Sequence, residues 1–231
     1  MEAKISDSVL PVLEITLENG EQLISEPGQF SWMTPSIGLQ TTASAGGAKG
    51  LFGALGRAMG GGGLFMNTYR AEQGSGTVAF AAKLPGKILD IKLSPGQSYL
   101  VHRHGFLCGS TGVEVSVGFQ RSLGAGIFGG EGMILQKLSG SGDAWIELGG
   151  DAVVYDLLPG QSLRVHPGHV GMFEESVNFD ITMMKGIKNM LFGGDGLFVA
   201  QLTGPGRVWL QTLTISNLAH ALIPYLPKPS K

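Results

Sequence analysis

Pro95-Gly96-Gln97-Ser98-Tyr99-Leu100-Val101-His102 recurs later in the chain as Pro159-Gly160-Gln161-Ser162-Leu163-Arg164-Val165-His166. The shift that aligns these two stretches also places 84–148 on 148–212 without a gap, and eighteen of the sixty-five aligned residues are identical. Self-similarity at one constant spacing is typical of repeat proteins. The chain therefore contains at least two consecutive copies of one unit.

Two further sequences mark each copy. A Phe-Gly-Gly-acidic-Gly loop starts at Phe128 and at Phe192, and a Gly-x-Gly-x-x-Trp sequence ends at Trp145 and at Trp209. Looser versions of both occur earlier, where the spacing drifts. We therefore predict one domain over 1–231, built from three copies at about 12–83, 84–147 and 148–211 and a helical tail at 212–231.

Apolar and polar residues alternate within a copy, at 88–93 and at 113–117. A period of two indicates half-buried strands. Ser94-Pro95-Gly96-Gln97 is a predicted β-turn, because proline suits its first central position and glycine accepts positive φ at the second. The fold class is all-β: three tandem β repeats form a double-stranded β-helix-like or β-sandwich domain. Short helices are expected before the glycine loops and at the C-terminus, where Ser216 would cap the last one.

The composition restricts the function classes. A net charge of −2 and a pI near 6.2 give no electrostatic basis for binding nucleic acid. The lone Cys108 excludes an internal disulfide framework, and as a single cysteine it is expected to be a small buried apolar residue. No apolar run is long enough to span a bilayer, and the acidic N-terminus does not resemble a transit peptide. We expect a cytoplasmic protein.

The glycine loops lead to a family resemblance. Each loop is followed by an apolar strand, starting at Leu64-Phe65, Met133-Ile134 and Leu197-Phe198, and the chain ends in Ile223-Pro224-Tyr225-Leu226-Pro227. These segments resemble the altered inheritance of mitochondria protein twenty-four family, over essentially the whole chain. The resemblance implies a fold like that of the tryptophan RNA-binding attenuation protein and, through fungal relatives, a link to mitochondrial membrane organisation. It brings no catalytic residues.

His102 and His104 are the candidate metal ligands. They are two apart on an apparent strand, so both should point to one face. Two imidazoles and a carboxylate would suit Zn, Mn or Fe, but Cys108 and Gly109 stand where a cupin motif has its acidic ligand. The third copy replaces His104 by Gly168. We predict structural histidines, no catalytic residues and no cofactor, with a cupin-like metal-binding protein as the alternative.

The glycine-flanked apolar segments recur three times and are the candidate contact surface. Such residues, if exposed, mark interaction sites, although they would equally fill the ends of the domain's own core. The predicted oligomer or partner contacts are Leu55, Met59, Ile127, Phe128, Leu191 and Phe192. Trp145 and Trp209 are predicted core residues. We predict a non-enzymatic assembly or scaffold protein that forms a homo-oligomer (a trimer or ring), with peripheral membrane organisation as a second alternative.

Overall fold

The computed structural model describes residues 1–43, 65–121, 133–183 and 198–227. Within these ranges the secondary structure is almost entirely antiparallel β-strand, and the all-β prediction is confirmed. The predicted short helices before the glycine loops lie outside the described residues. None of the described helices is long and apolar enough to cross a membrane.

The strands fall into three successive groups of six, preceded by β1 (Glu2–Ile5). The first group contains β2 (Val12–Leu17), β3 (Gln22–Ser25), β4 (Trp32–Met33), β5 (Ile37–Ala43), β6 (Phe65–Ala71) and β7 (Gly76–Ala81). The second contains β8 (Gly86–Leu93), β9 (Tyr99–His102), β10 (Phe106–Ser110), β11 (Val113–Arg121), β12 (Met133–Gly140) and β13 (Gly142–Gly149). The third contains β14 (Ala152–Leu157), β15 (Ser162–Val165), β16 (Val170–Glu174), β17 (Asn178–Met183), β18 (Phe198–Thr203) and β19 (Gly206–Gln211).

The same pairings occur in every group. If the six strands of a group are called a to f in chain order, strand f lies between a and c, and strand e lies between d and b. Two further pairings join the groups, because strand b of one group pairs with strand c of the next: β3 with β10, and β9 with β16. The four resulting sheets have the orders β1-β2-β7-β4, β5-β6-β3-β10-β13-β8, β11-β12-β9-β16-β19-β14 and β15-β18-β17.

Three hydrophobic clusters lie between successive sheets. The first contains Leu13 and Tyr69, the second Val101 and Leu138, and the third Phe173 and Leu202. Because the two middle sheets contact a cluster on each face, their central strands lose the alternating pattern, as expected for strands buried on both sides. In β13, Trp145 belongs to the first cluster and Ile146 to the second.

The predicted Pro-Gly turn is confirmed. Gly96 has φ +86°, and the Gln97 N–H donates to the Ser94 carbonyl at 2.9 Å. The Gln97 side chain also accepts the Ser94 N–H at 3.2 Å. Corresponding turns, with positive-φ glycines and the same side-chain acceptor position, are formed around Gly20 and Gly160.

The C-terminal helix α1 (Ile215–Leu222) begins at a different cap from the predicted one. Thr214 is the N-cap, and its Oγ1 accepts the Asn217 N–H at 3.0 Å. The prediction that Ser216 caps this helix is wrong. The Thr214 hydroxyl already caps it, so the helix begins at Ile215 and Ser216 lies within its first turn. A 3₁₀ turn (Ile223–Tyr225) follows, and no residue of α1 is buried.

Candidate functional site

The predicted pair of histidines does not share a strand face. His102 is the last residue of β9, whereas His104 lies in the following turn with φ +64°. The prediction of two histidines on one strand face is wrong because the strand ends between them, and the left-handed residue redirects the chain. His102 is half-buried and His104 is exposed.

His102 is engaged in a structural hydrogen bond. Its Nε2 lies 2.8 Å from the main-chain oxygen of Glu147. Since a carbonyl oxygen only accepts, Nε2 must carry the proton and cannot bind a metal in this state. Burial lowers the pKa of His102, which favours the neutral ring.

The third group repeats this contact with a different histidine. Nδ1 of His169 lies 2.8 Å from the main-chain oxygen of Gln211, the residue that corresponds to Glu147. His166 instead accepts the Gly168 N–H at 3.3 Å and caps the 3₁₀ turn Pro167–His169. The histidines therefore hold the chain at the junctions between groups. Within the described ranges, no group of three or more His, Cys, Asp or Glu residues is arranged to hold a metal ion.

Two side chains secure the chain where one group passes into the next. Glu147 Oε1 accepts the N–H groups of Lys83 and Leu84 at 2.7 and 3.1 Å. Gln211 Oε1, at the corresponding position, accepts the Gly149 N–H at 3.0 Å. Burial raises the pKa of Glu147. Both carboxylate and amide satisfy main-chain donors here, which is a structural task.

A polar cluster at the first junction was missed by sequence reasoning. Gln136 donates through Nε2 to Glu26 Oε1 at 2.6 Å, and both side chains are buried. Gln29 donates to the Phe106 carbonyl at 2.9 Å and accepts a hydrogen bond from the Lys83 ammonium. No periodic pattern or motif marks these residues, because each contact crosses between groups of strands.

A cavity of about 460 Å³ lies between the turn after β9 and helix α1. His102, Arg103 and His104 form part of its wall, and Met133, Val170 and Ile215 are among its apolar lining residues. Such a mixed lining suits a small molecule with an apolar body and a polar group.

The remaining sequence candidates have mixed outcomes. Cys108 is fully buried, as predicted, and burial raises the pKa of its thiol well above its ordinary value. Trp145 is buried as predicted, but Trp209 is only half-buried, since it packs at the margin of the second cluster. The predicted contact residues Leu55, Met59, Ile127, Phe128, Leu191 and Phe192 lie outside the described residues.

The buried carboxyl of Glu26 leads to a prediction about pH. Its pKa is raised from 4.5, chiefly by burial. A raised pKa means that the folded state holds the proton more tightly than the unfolded state does. The contribution of this carboxyl to stability is therefore lost as the pH rises from its pKa in the unfolded state through its pKa in the folded state. Glu26→Gln should therefore reduce the loss of stability between pH 4.5 and neutrality, measured by urea unfolding at several pH values.

Glu175 supplies a control of opposite sign. The hydrogen bond from Lys137 lowers its pKa, so its contribution is present at neutral pH and is lost as the pH falls through the folded pKa. Glu175→Gln should remove that acid-side loss. Identical pH profiles for the wild type and Glu26→Gln would show that the buried carboxyl does not titrate with folding.

Comparison with known proteins gives both a family and a solved fold. The family model for mitochondrial biogenesis AIM24 matches residues 3–213. An uncharacterized protein of Streptococcus pyogenes serotype M6 is 27% identical over 225 residues, covering 95% of this chain and 88% of that protein. The X-ray structure of a Streptococcus pyogenes protein superimposes with a TM-score of 0.76 at 23% identity, over 97% of this chain and 99% of that one. At this identity, the likeness to the solved structure shows the fold alone.

Proposed function

The chain belongs to the mitochondrial biogenesis AIM24 family, and we propose that it is a non-enzymatic assembly or scaffold protein that self-associates. The observation that carries the proposal is the way its own groups are joined. β3 pairs with β10, and β9 pairs with β16, so that each junction is a continuous sheet. Strand addition of this kind is a general mode of protein association.

The finer interpretation is that the three groups are equivalent repeats of a double-stranded β-helix-like domain. The shared pairings and the shared turns around Gly20, Gly96 and Gly160 support it. We further propose a cytoplasmic location and a homo-oligomer (a trimer or ring), with the glycine-flanked segments among its contacts.

The oligomeric state tests this proposal. Light scattering and sedimentation at several concentrations should give a mass that is a multiple of the 24.2 kDa chain. Phe128→Glu or Phe192→Glu should lower that mass while circular dichroism stays unchanged. A wild-type protein that remains monomeric at tens of micromolar would contradict the proposal, and a charged variant that unfolds would place the loop in the core.

The metal-binding alternative is less well supported by the contacts of the histidines. His102 already donates from Nε2 to the Glu147 carbonyl, and His104 leaves the strand. Elemental analysis of untagged protein is therefore expected to find no stoichiometric transition metal. One equivalent of metal that disappears in His102→Ala would favour the cupin-like alternative instead.

Peripheral membrane contact is the second candidate, and the C-terminal segment favours it. From Gln211 to Pro227 the sequence has no Asp, Glu, Lys or Arg. Ile223, Tyr225 and Leu226 are 58%, 84% and 61% exposed. Apolar surface next to an exposed tyrosine suits the interface of a bilayer.

Flotation with phosphatidylcholine vesicles tests the membrane candidate. The wild type should float with the vesicles, and Ile223→Glu should not, because the charge opposes entry into the interface. Asn217→Glu is the matched control, since Asn217 is an exposed polar residue of the same segment. No flotation of the wild type would contradict the membrane candidate and would leave the assembly proposal unaffected.

A further inference from the structure

Two strands at opposite ends of the chain lack a neighbour that their counterparts have. The b strands β3 and β9 are paired on both sides, whereas β15, the third b strand, pairs with β18 alone among the described residues. The c strands β10 and β16 are likewise paired on both sides, whereas β4, the first c strand, pairs within the same ranges with β7 alone. Among the described residues, the chain therefore presents one b edge and one c edge that no other strand covers.

The burial of the c strands follows this difference. Trp32 occupies the position of Cys108 and Met172, because the three residues face corresponding residues of strand f. Cys108 and Met172 are completely buried, but Trp32 is 48% exposed. A large apolar side chain is thus exposed at the one c strand without a preceding group.

We propose that β15 of one copy of this chain pairs with β4 of a second copy, head to tail and antiparallel, in the register of the internal junctions. This inference rests on the proposed self-association and specifies its surface. Leu100 lies opposite Phe173, and Ile24 lies opposite Gly109, at those junctions. The same register places Arg164 opposite Met33 of the second copy.

The main-chain groups of both edges fit this register. The Gly204 N–H donates to the Gln161 carbonyl at 2.9 Å. Because alternate residues of an antiparallel strand direct their N–H and C=O to opposite sides, those of Leu163 and Val165 face β18 and those of Arg164 face outward. Similarly, the Thr34 N–H donates to the Thr77 carbonyl at 3.0 Å, so the main-chain groups of Met33 face outward.

The pairing brings these outward groups together. Arg164 and Met33 of the second copy become a hydrogen-bonded pair, and each satisfies main-chain groups that no described strand of its own chain pairs. The neighbouring pair is Val165 with Trp32, which lays the exposed indole against the third hydrophobic cluster, to which Val165 belongs. Arg164 stands where Ile24 and Leu100 stand in the other groups, and its aliphatic stem takes over their packing while the guanidinium stays in water.

Head-to-tail contacts use two different surfaces, so they produce either a closed ring or an open filament. Each copy contributes one b edge and one c edge, as the internal groups do. The partner is therefore a second copy of this chain, because its c edge belongs to the type of strand that pairs with a b edge at both internal junctions.

Proline substitution tests the backbone pairing. Arg164→Pro removes the outward N–H and leaves the bonds to β18 in place, so it should weaken association at least about tenfold, since edge prolines block strand addition. Arg164→Ala is the matched control and should associate much more strongly than Arg164→Pro, because it keeps the N–H and loses only the packing of the stem. Met33→Pro repeats the test at the other edge if Arg164→Pro fails to fold by circular dichroism.

Disulfide trapping tests the register. In Trp32→Cys/Val165→Cys, oxidation should link chains into a ladder of multimers on non-reducing gels. The native Cys108 stays in place, since its burial keeps it unreactive. Trp32→Cys/Val153→Cys is the control, because Val153 is exposed on β14, away from the proposed edge.

The outcomes separate this inference from the function on which it rests. The strand pairing is supported if Arg164→Pro loses association and Arg164→Ala keeps it. Disulfide multimers should then form in Trp32→Cys/Val165→Cys and not in the Val153 control. An oligomer that is indifferent to the proline substitutions and gives no more cross-linking than the control overturns the strand pairing while the scaffold function stands. A monomeric wild type overturns both.

Discussion

Gly140→Ala should lower the free energy of unfolding by more than about 3 kcal/mol, whereas Gly96→Ala should lower it by about 1–2 kcal/mol. Both glycines have nearly the same positive φ, +90° and +86°. They differ in space: a Cβ on Gly140 would lie 2.2 Å from the Gly112 carbonyl oxygen, and one on Gly96 would have nothing within 4 Å. Comparing the two variants therefore separates the cost of the steric clash from the cost of placing alanine at positive φ.

The Gly112 carbonyl cannot easily move away from the added methyl group. It accepts the Ser141 N–H at 2.9 Å and directly precedes Val113, the first residue of β11, which pairs with Gly140 at the end of β12. Relief of the contact would break the hydrogen bond from Ser141 or shift the register of β11 and β12. Urea unfolding of the two variants and the wild type gives the comparison. Equal losses of unfolding free energy in the two variants would mean that the paired ends of β11 and β12 relax without cost.

The local signals in the sequence predicted the elements that depend on local chemistry. The Pro-Gly turn at Gly96 and the strands at 88–93 and 113–117 are where proline, glycine and apolar alternation place them. These features need no knowledge of distant residues, because turn type and pleat are set within a few residues. The same logic gave the all-β class.

The errors occur where the environment of a residue depends on its neighbours in space. His104 reads as a strand residue, but the strand ends at His102. Trp209 occupies the position of Trp145 yet is half-buried, because it packs at the margin of the second cluster. Glu26 and Gln136 meet across 110 residues of chain, and no local pattern predicts such a contact.

Trp145→Ala is expected to cost about 3–5 kcal/mol of unfolding free energy, because removing a buried indole leaves a cavity in the first cluster. Trp145 is 2% exposed and faces that cluster from β13, a strand buried on both sides. Trp209→Ala should cost clearly less, since Trp209 is half-buried and contacts Tyr99 edge-on with a centroid distance of 5.9 Å. Thermal or urea unfolding measures both.

Trp145→Phe separates packing from the polar group of the indole. Within the described part of the chain, the Trp145 Nε1 is buried without a hydrogen-bond partner. A buried unsatisfied N–H costs about 1–3 kcal/mol, so phenylalanine, which lacks it, should offset much of the lost ring volume and keep most of the stability. Trp145→Phe should therefore unfold near the wild type while Trp145→Ala does not. If both variants lost the same unfolding free energy, the indole N–H would have to make a stabilising hydrogen bond. If Trp145→Ala lost less than about 1 kcal/mol, Trp145 would not be a core residue.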